Sequence, residues 1–114
     1  NFKDIYTKAE KAIYTPGAAF LNVMSPCPRG WGYEPSEMMN ICKLAVETCY
    51  WPLFEVVDGK WILSYAPKKK LPLEDFLRPQ RRFKHLFKPG NEELLVAFQA
   101  EVDKRWEELQ KKCE

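Results

Sequence analysis

No stretch of this sequence approaches the roughly 20 consecutive apolar residues that a helix needs to cross a bilayer. Asn1-Phe2-Lys3-Asp4 opens directly into polar, helix-like sequence, so no secretory signal is read there. Charge of one sign is missing too. The 18 Lys and Arg stand against 16 Asp and Glu, a net +2, too near neutrality to argue for nucleic acid or an acidic membrane surface. Histidine is nearly absent: His85 is the only one, which excludes any mechanism that needs two imidazoles. Its setting, Arg82-Phe83-Lys84-His85-Leu86-Phe87, reads as a packed or surface position. No GxSxG, P-loop, HExxH or GxGxxG occurs, so the common hydrolase, nucleotide and zinc-protease signatures are missing. Glu37 and Glu47 read as solvated helix faces rather than as paired acids. There is no internal repeat and no low-complexity tract.

Four cysteines are present, Cys27, Cys42, Cys49 and Cys113, and none forms a CxxC pair. With no secretory signal, four thiols read as reduced and cytoplasmic rather than as a disulfide frame. The 114 residues, 46% hydrophobic and 30% charged, suit one small domain with a modest core. The chain lacks an initiator Met, and Asn1 is not a usual residue to remain after Met removal, so the chain is expected to be part of a longer polypeptide.

Residues 2 to 14 place Phe2, Ile5, Tyr6, Ala9, Ala12 and Ile13 at helical spacing, and Pro16-Gly17 ends that helix. Residues 18 to 24, AAFLNVM, are a short apolar run between turn signals, which predicts a strand buried on both faces. Residues 25 to 35 hold three Pro and two Gly in eleven positions and read as a loop. A helix is expected from Pro35-Ser36-Glu37 to about Tyr50, with Met38, Cys42, Ala45 and Cys49 on one face and Ile41, Leu44 and Thr48 beside them. Asp58-Gly59, between 53–57 and 60–65, is a type I′ hairpin signal. A Pro- and Lys-rich loop follows, then a short helix over 73–77 and another turn or two over 80–87. Asn91 is expected to cap a last helix whose stripe is Leu95, Phe98, Val102, Trp106, Leu109 and Cys113.

Chemistry concentrates at Cys27. It follows the expected buried strand, and loops leaving strand C-termini in open α/β sheets are where ligands bind. Pro26 and Pro28 bracket it, removing two backbone donors and stiffening the turn, so the thiol is held in a set direction. A preset thiolate suits a metal or iron–sulfur ligand, against the commoner fate of an isolated buried structural Cys. One Cys cannot hold a four-iron cluster, which needs four ligands. Cys42 and Cys49, seven positions apart on a helix, lie about 10 Å apart along its axis and cannot share one metal. They read as small core residues, and Cys113 as incidental. The basic concentration Lys68, Lys69, Lys70, Arg78, Arg81, Arg82, Lys84 and Lys88 reads as a solvated face or as a docking surface for an acidic partner.

Three segments carry a resemblance. Residues 16 to 33, PGAAFLNVMSPCPRGWGY, resemble the "PGPSFIHVLAPCPTGWGY" region of the thiamin-diphosphate-binding β subunits of pyruvate (2-oxoacid):ferredoxin oxidoreductases. Residues 44 to 55, LAVETCYWPLFE, are similar to that family's "LAVETGLWPLYE", and residues 76 to 86, FLRPQRRFKHL, to its "YLKLQGRFRHL". The resemblance implies the C-terminal part of such a subunit. Its enzymes decarboxylate a 2-oxoacid on thiamin diphosphate and Mg²⁺, pass electrons through 4Fe–4S clusters to ferredoxin, and release acyl-CoA, here acetyl-CoA from pyruvate. It implies that Cys27 is the last of four thiolates on the cluster nearest the thiamin, the other ligands lying upstream. It also implies α, γ and δ subunits as partners, and no activity for this piece alone. Asn22, Ser25 and Cys49 depart from the family's His, Ala and Gly; a Ser25 hydroxyl would donate toward a cluster sulfur.

The fold class expected is therefore α/β, the C-terminal portion of a thiamin-diphosphate-binding fold. Taken alone it is α+β: helix, buried strand, helix, β-hairpin and C-terminal helices. Residues 1–50 would be the last helix–strand–helix of that domain and 51–114 an extension. The alternative reading is a non-catalytic interaction module docking a partner through its basic stretch and C-terminal helix.

Overall fold

A computed structural model describes residues 2–114; Asn1 lies outside the described residues. The architecture is α+β: five α-helices, two 3₁₀ segments and one two-stranded antiparallel sheet among the described residues. None of the helices is long and apolar enough to cross a membrane.

Helix α1 (Phe2–Tyr14) forms where the spacing predicts it, with Asp4 in its first turn and Lys11 in its last. The Thr15 hydroxyl donates to the Lys11 carbonyl at 2.7 Å, and Gly17 adopts φ 109° to leave the helix. The orientation is the reverse of an ordinary surface helix. No residue of α1 is buried. Its polar side faces the hairpin, where Lys11 pairs with Glu55, while Phe2, Ile5, Tyr6, Ile13 and Tyr14 are exposed.

The strand expected over 18–24 does not form. Those residues have no regular structure, and all but Met24 are exposed, Phe20 at 87%. The reason is physical: a strand exists only through ladder hydrogen bonds to a neighbour. The only paired strands among the described residues are β1 and β2, which use each other.

Residues 25–35 are more ordered than a loop. Pro28 sits at the first position of a single helical turn, α2 (Pro28–Trp31), its fixed φ already suited to the helix. A 3₁₀ turn, Pro35–Glu37, then leads into α3 (Met38–Glu47). Of the expected face, Ala45 and, just beyond the helix, Cys49 are buried, as are Ile41 and Thr48 beside them, while Cys42 is partly buried and Met38 exposed. Ile41 lies about one 100° step from Cys42 and offers more apolar area than Cys42 for the same turn. The helix stops three residues short of Tyr50 because Cys49 turns left-handed at φ 58°.

Strands β1 (Phe54–Val57) and β2 (Lys60–Leu63) pair with Val57 opposite Lys60. Asp58 at φ 51° and Gly59 at φ 75° make the expected I′ turn. Phe54 stacks on Trp61 with centroids 5.4 Å apart. Helix α4 (Leu73–Leu77), a 3₁₀ segment (Arg81–Phe87) and α5 (Glu92–Lys112) complete the chain. Asn91 holds the N-cap position but its side chain does not cap: its amide donates instead to the His85 carbonyl at 2.6 Å. Every member of the α5 stripe is buried or partly buried.

The core joins Tyr33, Ile41, Ala45, Leu73, Phe76, Leu77, Leu86 and Val102. Phe76 is fully buried at its centre, 4.7 Å from the Tyr50 ring and 6.4 Å from that of Trp31. Buried Gln80 donates to the Phe76 carbonyl and accepts from Arg82 Nε at 2.8 Å.

Candidate functional site

Cys27 is the N-cap of α2, in extended backbone at φ −112°, ψ 110°. Its carbonyl accepts from Trp31 N at 2.9 Å, and its Sγ accepts from Gly30 N at 3.3 Å. Sulfur thus takes the place of the oxygen that usually satisfies a first-turn donor. Gly32 N and Tyr33 N both donate to the Pro28 carbonyl, at 2.9 and 3.1 Å. The residue remains exposed, so the thiol is braced from behind and open in front.

The turn is also clamped from fifty residues away. Arg81 N donates to the Gly32 carbonyl at 2.9 Å. Gly32, at φ 74°, lies so close beneath that a Cβ would meet Arg81 Cβ at 2.7 Å. The Arg82 guanidinium lies 3.8 Å over the Trp31 ring and 4.5 Å from Phe83. Burial lowers the Arg82 pKa from its ordinary value. Tyr33 is buried against this clamp, its ring 6.3 Å from Trp31. Burial, then the nearby Cys42 and Cys27, pushes its phenol up. Among the described residues its hydroxyl has no hydrogen-bond partner.

The other cysteines are not brought to this turn as ligands. Cys49 is buried, and burial pushes its thiol up. Cys42 and Cys113 are partly buried. Among the described residues no three His, Cys, Asp or Glu gather as a metal site. His85 is exposed on its 3₁₀ segment, and so is Ser25. The basic stretch is partly spent inside the molecule. Arg82 stacks as described, Arg78 pairs with Glu74 and covers Phe87, and Lys70 pairs with Asp103. Lys68, Lys69, Arg81, Lys84 and Lys88 remain exposed.

The sequence singled out Cys27 and named Arg82 only as part of a basic stretch; it did not single out Tyr33 or Gly32, which the structure places with Arg82 around the Cys27 turn. The available signal was the dipeptide Gly32-Tyr33 beside an Arg-Arg pair, which only a contact across fifty residues makes meaningful.

No protein-family model matches the chain. Individual relatives do. The pyruvate synthase subunit PorB of Thermotoga maritima is 43% identical over 107 residues, 93% of this chain and 33% of that subunit. PorB of Methanosarcina barkeri is 41% identical over 102 residues, 89% and 34% respectively. The ketoisovalerate oxidoreductase subunit VorB of Pyrococcus horikoshii is 40% identical over 114 residues, 98% and 35%. The chain spans about a third of the length of these curated relatives. Over that span it belongs to the family of oxidoreductase β subunits that PorB and VorB represent.

Proposed function

We propose that this chain is the part of a 2-oxoacid:ferredoxin oxidoreductase β subunit that closes the iron–sulfur cluster nearest the thiamin cofactor, with pyruvate as the oxoacid and α, γ and δ subunits as partners. The observation that carries it is the conjunction of the PorB match with an exposed thiol on a doubly braced turn.

The residues present fit the role of one ligand. An exposed sulfur that accepts an N–H from Gly30 is a suitable cluster thiolate, because backbone donors to sulfur stabilise its negative charge. Pro26 and Pro28 limit the ordering entropy that ligation would otherwise cost. The remaining three thiolates, and the groups for thiamin diphosphate and Mg²⁺, would come from polypeptide outside this chain. When bound, thiamin diphosphate supplies the decarboxylation chemistry and the cluster the one-electron steps toward ferredoxin, with the acyl group leaving on CoA. Cys27 would hold the cluster, Gly30 N supports its sulfur, and Arg81 with Arg82 fixes the turn.

The same reading accounts for the outward-facing apolar residues. Helix α1 and residues 18–24 would be the last helix and strand of a thiamin-diphosphate-binding domain. Phe20, Leu21 and Val23 would then be covered when 18–24 joins its sheet.

Iron and labile-sulfide analysis of the assembled enzyme tests the ligand. Cys27→Ala should lose one cluster, about four iron atoms per β subunit. Unchanged iron would remove the ligand assignment. Turnover with pyruvate against a branched-chain 2-oxoacid tests the substrate.

A further inference from the structure

Arg82 carries a charge that no acid answers among the described residues. Arg78 and Arg105 are exposed, and each pairs with a glutamate one helical turn away, Glu74 and Glu101. Arg82 is partly buried, and its partners are neutral. They are the Gln80 side-chain oxygen at 2.8 Å and the faces of Trp31 and Phe83. Cations withdrawn from water are normally paired.

The surroundings repeat the pattern. Residues 11–33, which lead into and through the Cys27 turn, contain no Asp or Glu. Neither do residues 76–91, which clamp that turn through Arg81 and Arg82. Asp and Glu make up 16 of the 114 residues, so two acid-free segments meeting at one place are a departure. Arg29, Arg81, Lys84 and Lys88 are exposed on them. Such a field suits a group of net negative charge, and the exposed Cys27 thiol lies on the same turn. Arg82 is fixed to that turn by contact. Its guanidinium lies 3.8 Å over the Trp31 ring, and Trp31 N bonds the Cys27 carbonyl at 2.9 Å. The helix between them is a single turn, about 5.4 Å of rise. A partly buried charge is weakly screened over that range.

We propose that Arg82 is the fixed counter-charge of the iron–sulfur cluster ligated by Cys27, raising its reduction potential through space without touching it. This rests on the cluster reading above. A cluster held by four thiolates is anionic, and reduction adds one more negative charge. A fixed cation nearby therefore favours the reduced state over the oxidised one, which sets the direction. Arg82 is a positioning residue in this role: it exchanges no proton and no electron.

The test uses the assembled oxidoreductase, titrated electrochemically with the cluster followed by electron paramagnetic resonance. Arg82→citrulline keeps the planar shape, the N–H toward Gln80 and the stacking on Trp31, and removes only the charge. Its iron content should stay at the wild-type level while the midpoint potential moves negative. Arg82→Lys does the opposite, keeping the charge and losing the planar stack, and its potential should stay close to wild type. A wild-type potential in Arg82→citrulline would overturn the assignment. So would an Arg82→Lys potential as negative as that of Arg82→citrulline, which would mark a structural role. Cys27→Ala separates the two ideas. If it retains all its iron, the cluster reading fails and this inference falls with it. If it loses the iron while Arg82→citrulline keeps the wild-type potential, the counter-charge assignment alone fails.

Discussion

Helices α3, α4 and α5 turn their apolar faces toward one another, and α1 with residues 18–23 turns its own toward solvent. Both regions have well-formed apolar patterns. In the first, Ile41, Phe76 and Leu77 are fully buried. In the second, Ile13, Tyr14 and Phe20 are each more than three-quarters exposed. The difference teaches that a hydrophobic pattern specifies burial without specifying the neighbour. The later helices bring their own neighbours in the same chain. The earlier segment carries a pattern whose complement is not found among the described residues.

The sharpest way to break that contrast is a pair of truncations. Phe76→Ala should destabilise the chain by about 3–5 kcal/mol in urea unfolding, since it opens a cavity at the core's centre. Phe20→Ala should change stability by no more than about 0.5 kcal/mol. Equal losses would mean that residues 18–23 already have an internal partner. A second pair sharpens the picture of the Cys27 turn. Gly32 and Gly59 share nearly the same positive φ, 74° and 75°. Replacing either by Ala incurs the left-handed cost of about 1–2 kcal/mol. Only Gly32→Ala also drives a methyl into Arg81, where overpacking adds about 1–3 kcal/mol. Equal melting shifts for the two variants would show that the Arg81 crossing is slack.

The smallest effect is a pH dependence within the packed region. The hydrogen bond from Lys70, against the opposing effect of burial and with help from Gln99, holds the Asp103 carboxyl below its usual value. A carboxylate so depressed stabilises the fold above its unfolded pKa of about 3.9. That stability is lost as pH falls through the folded value. The pair is partly exposed, so Asp103→Asn should cost only about 0.5 kcal/mol at neutral pH. The gap between variant and parent should close in acid. A gap that widened there would reverse the sign assigned to Asp103.

Local chemistry made much of this fold legible beforehand. Asp58-Gly59 specified its turn because both residues tolerate positive φ, and the α5 stripe specified its buried face by spacing alone. The failures are relational. A strand over 18–24 needs a ladder partner, which a run of apolar letters cannot supply. Burial in the middle of α3 falls on Ile41 more than on Cys42, because Ile41 joins the core shared with Leu73, Phe76 and Leu77 of α4. Asn91 is an ordinary cap by type, but its side chain is oriented by the bond its NH₂ donates to the His85 carbonyl and makes no cap bond. At the candidate site, Cys27 stands out in the sequence through its two prolines. Tyr33, Gly32 and Arg82 acquire meaning only when residues about fifty apart come into contact.

Gln80 gives this arrangement an unusual dependence on one amide. Its NH₂ serves the Phe76 carbonyl and its oxygen serves Arg82, and it does both out of reach of water. Glutamate has no proton for the first duty, lysine no lone pair for the second, and leucine neither. Position 80 is thus a two-ended fastener that only a side-chain amide of that length can form. A change there would be felt at once in the hydrophobic centre and at the arginine that steadies the cysteine turn.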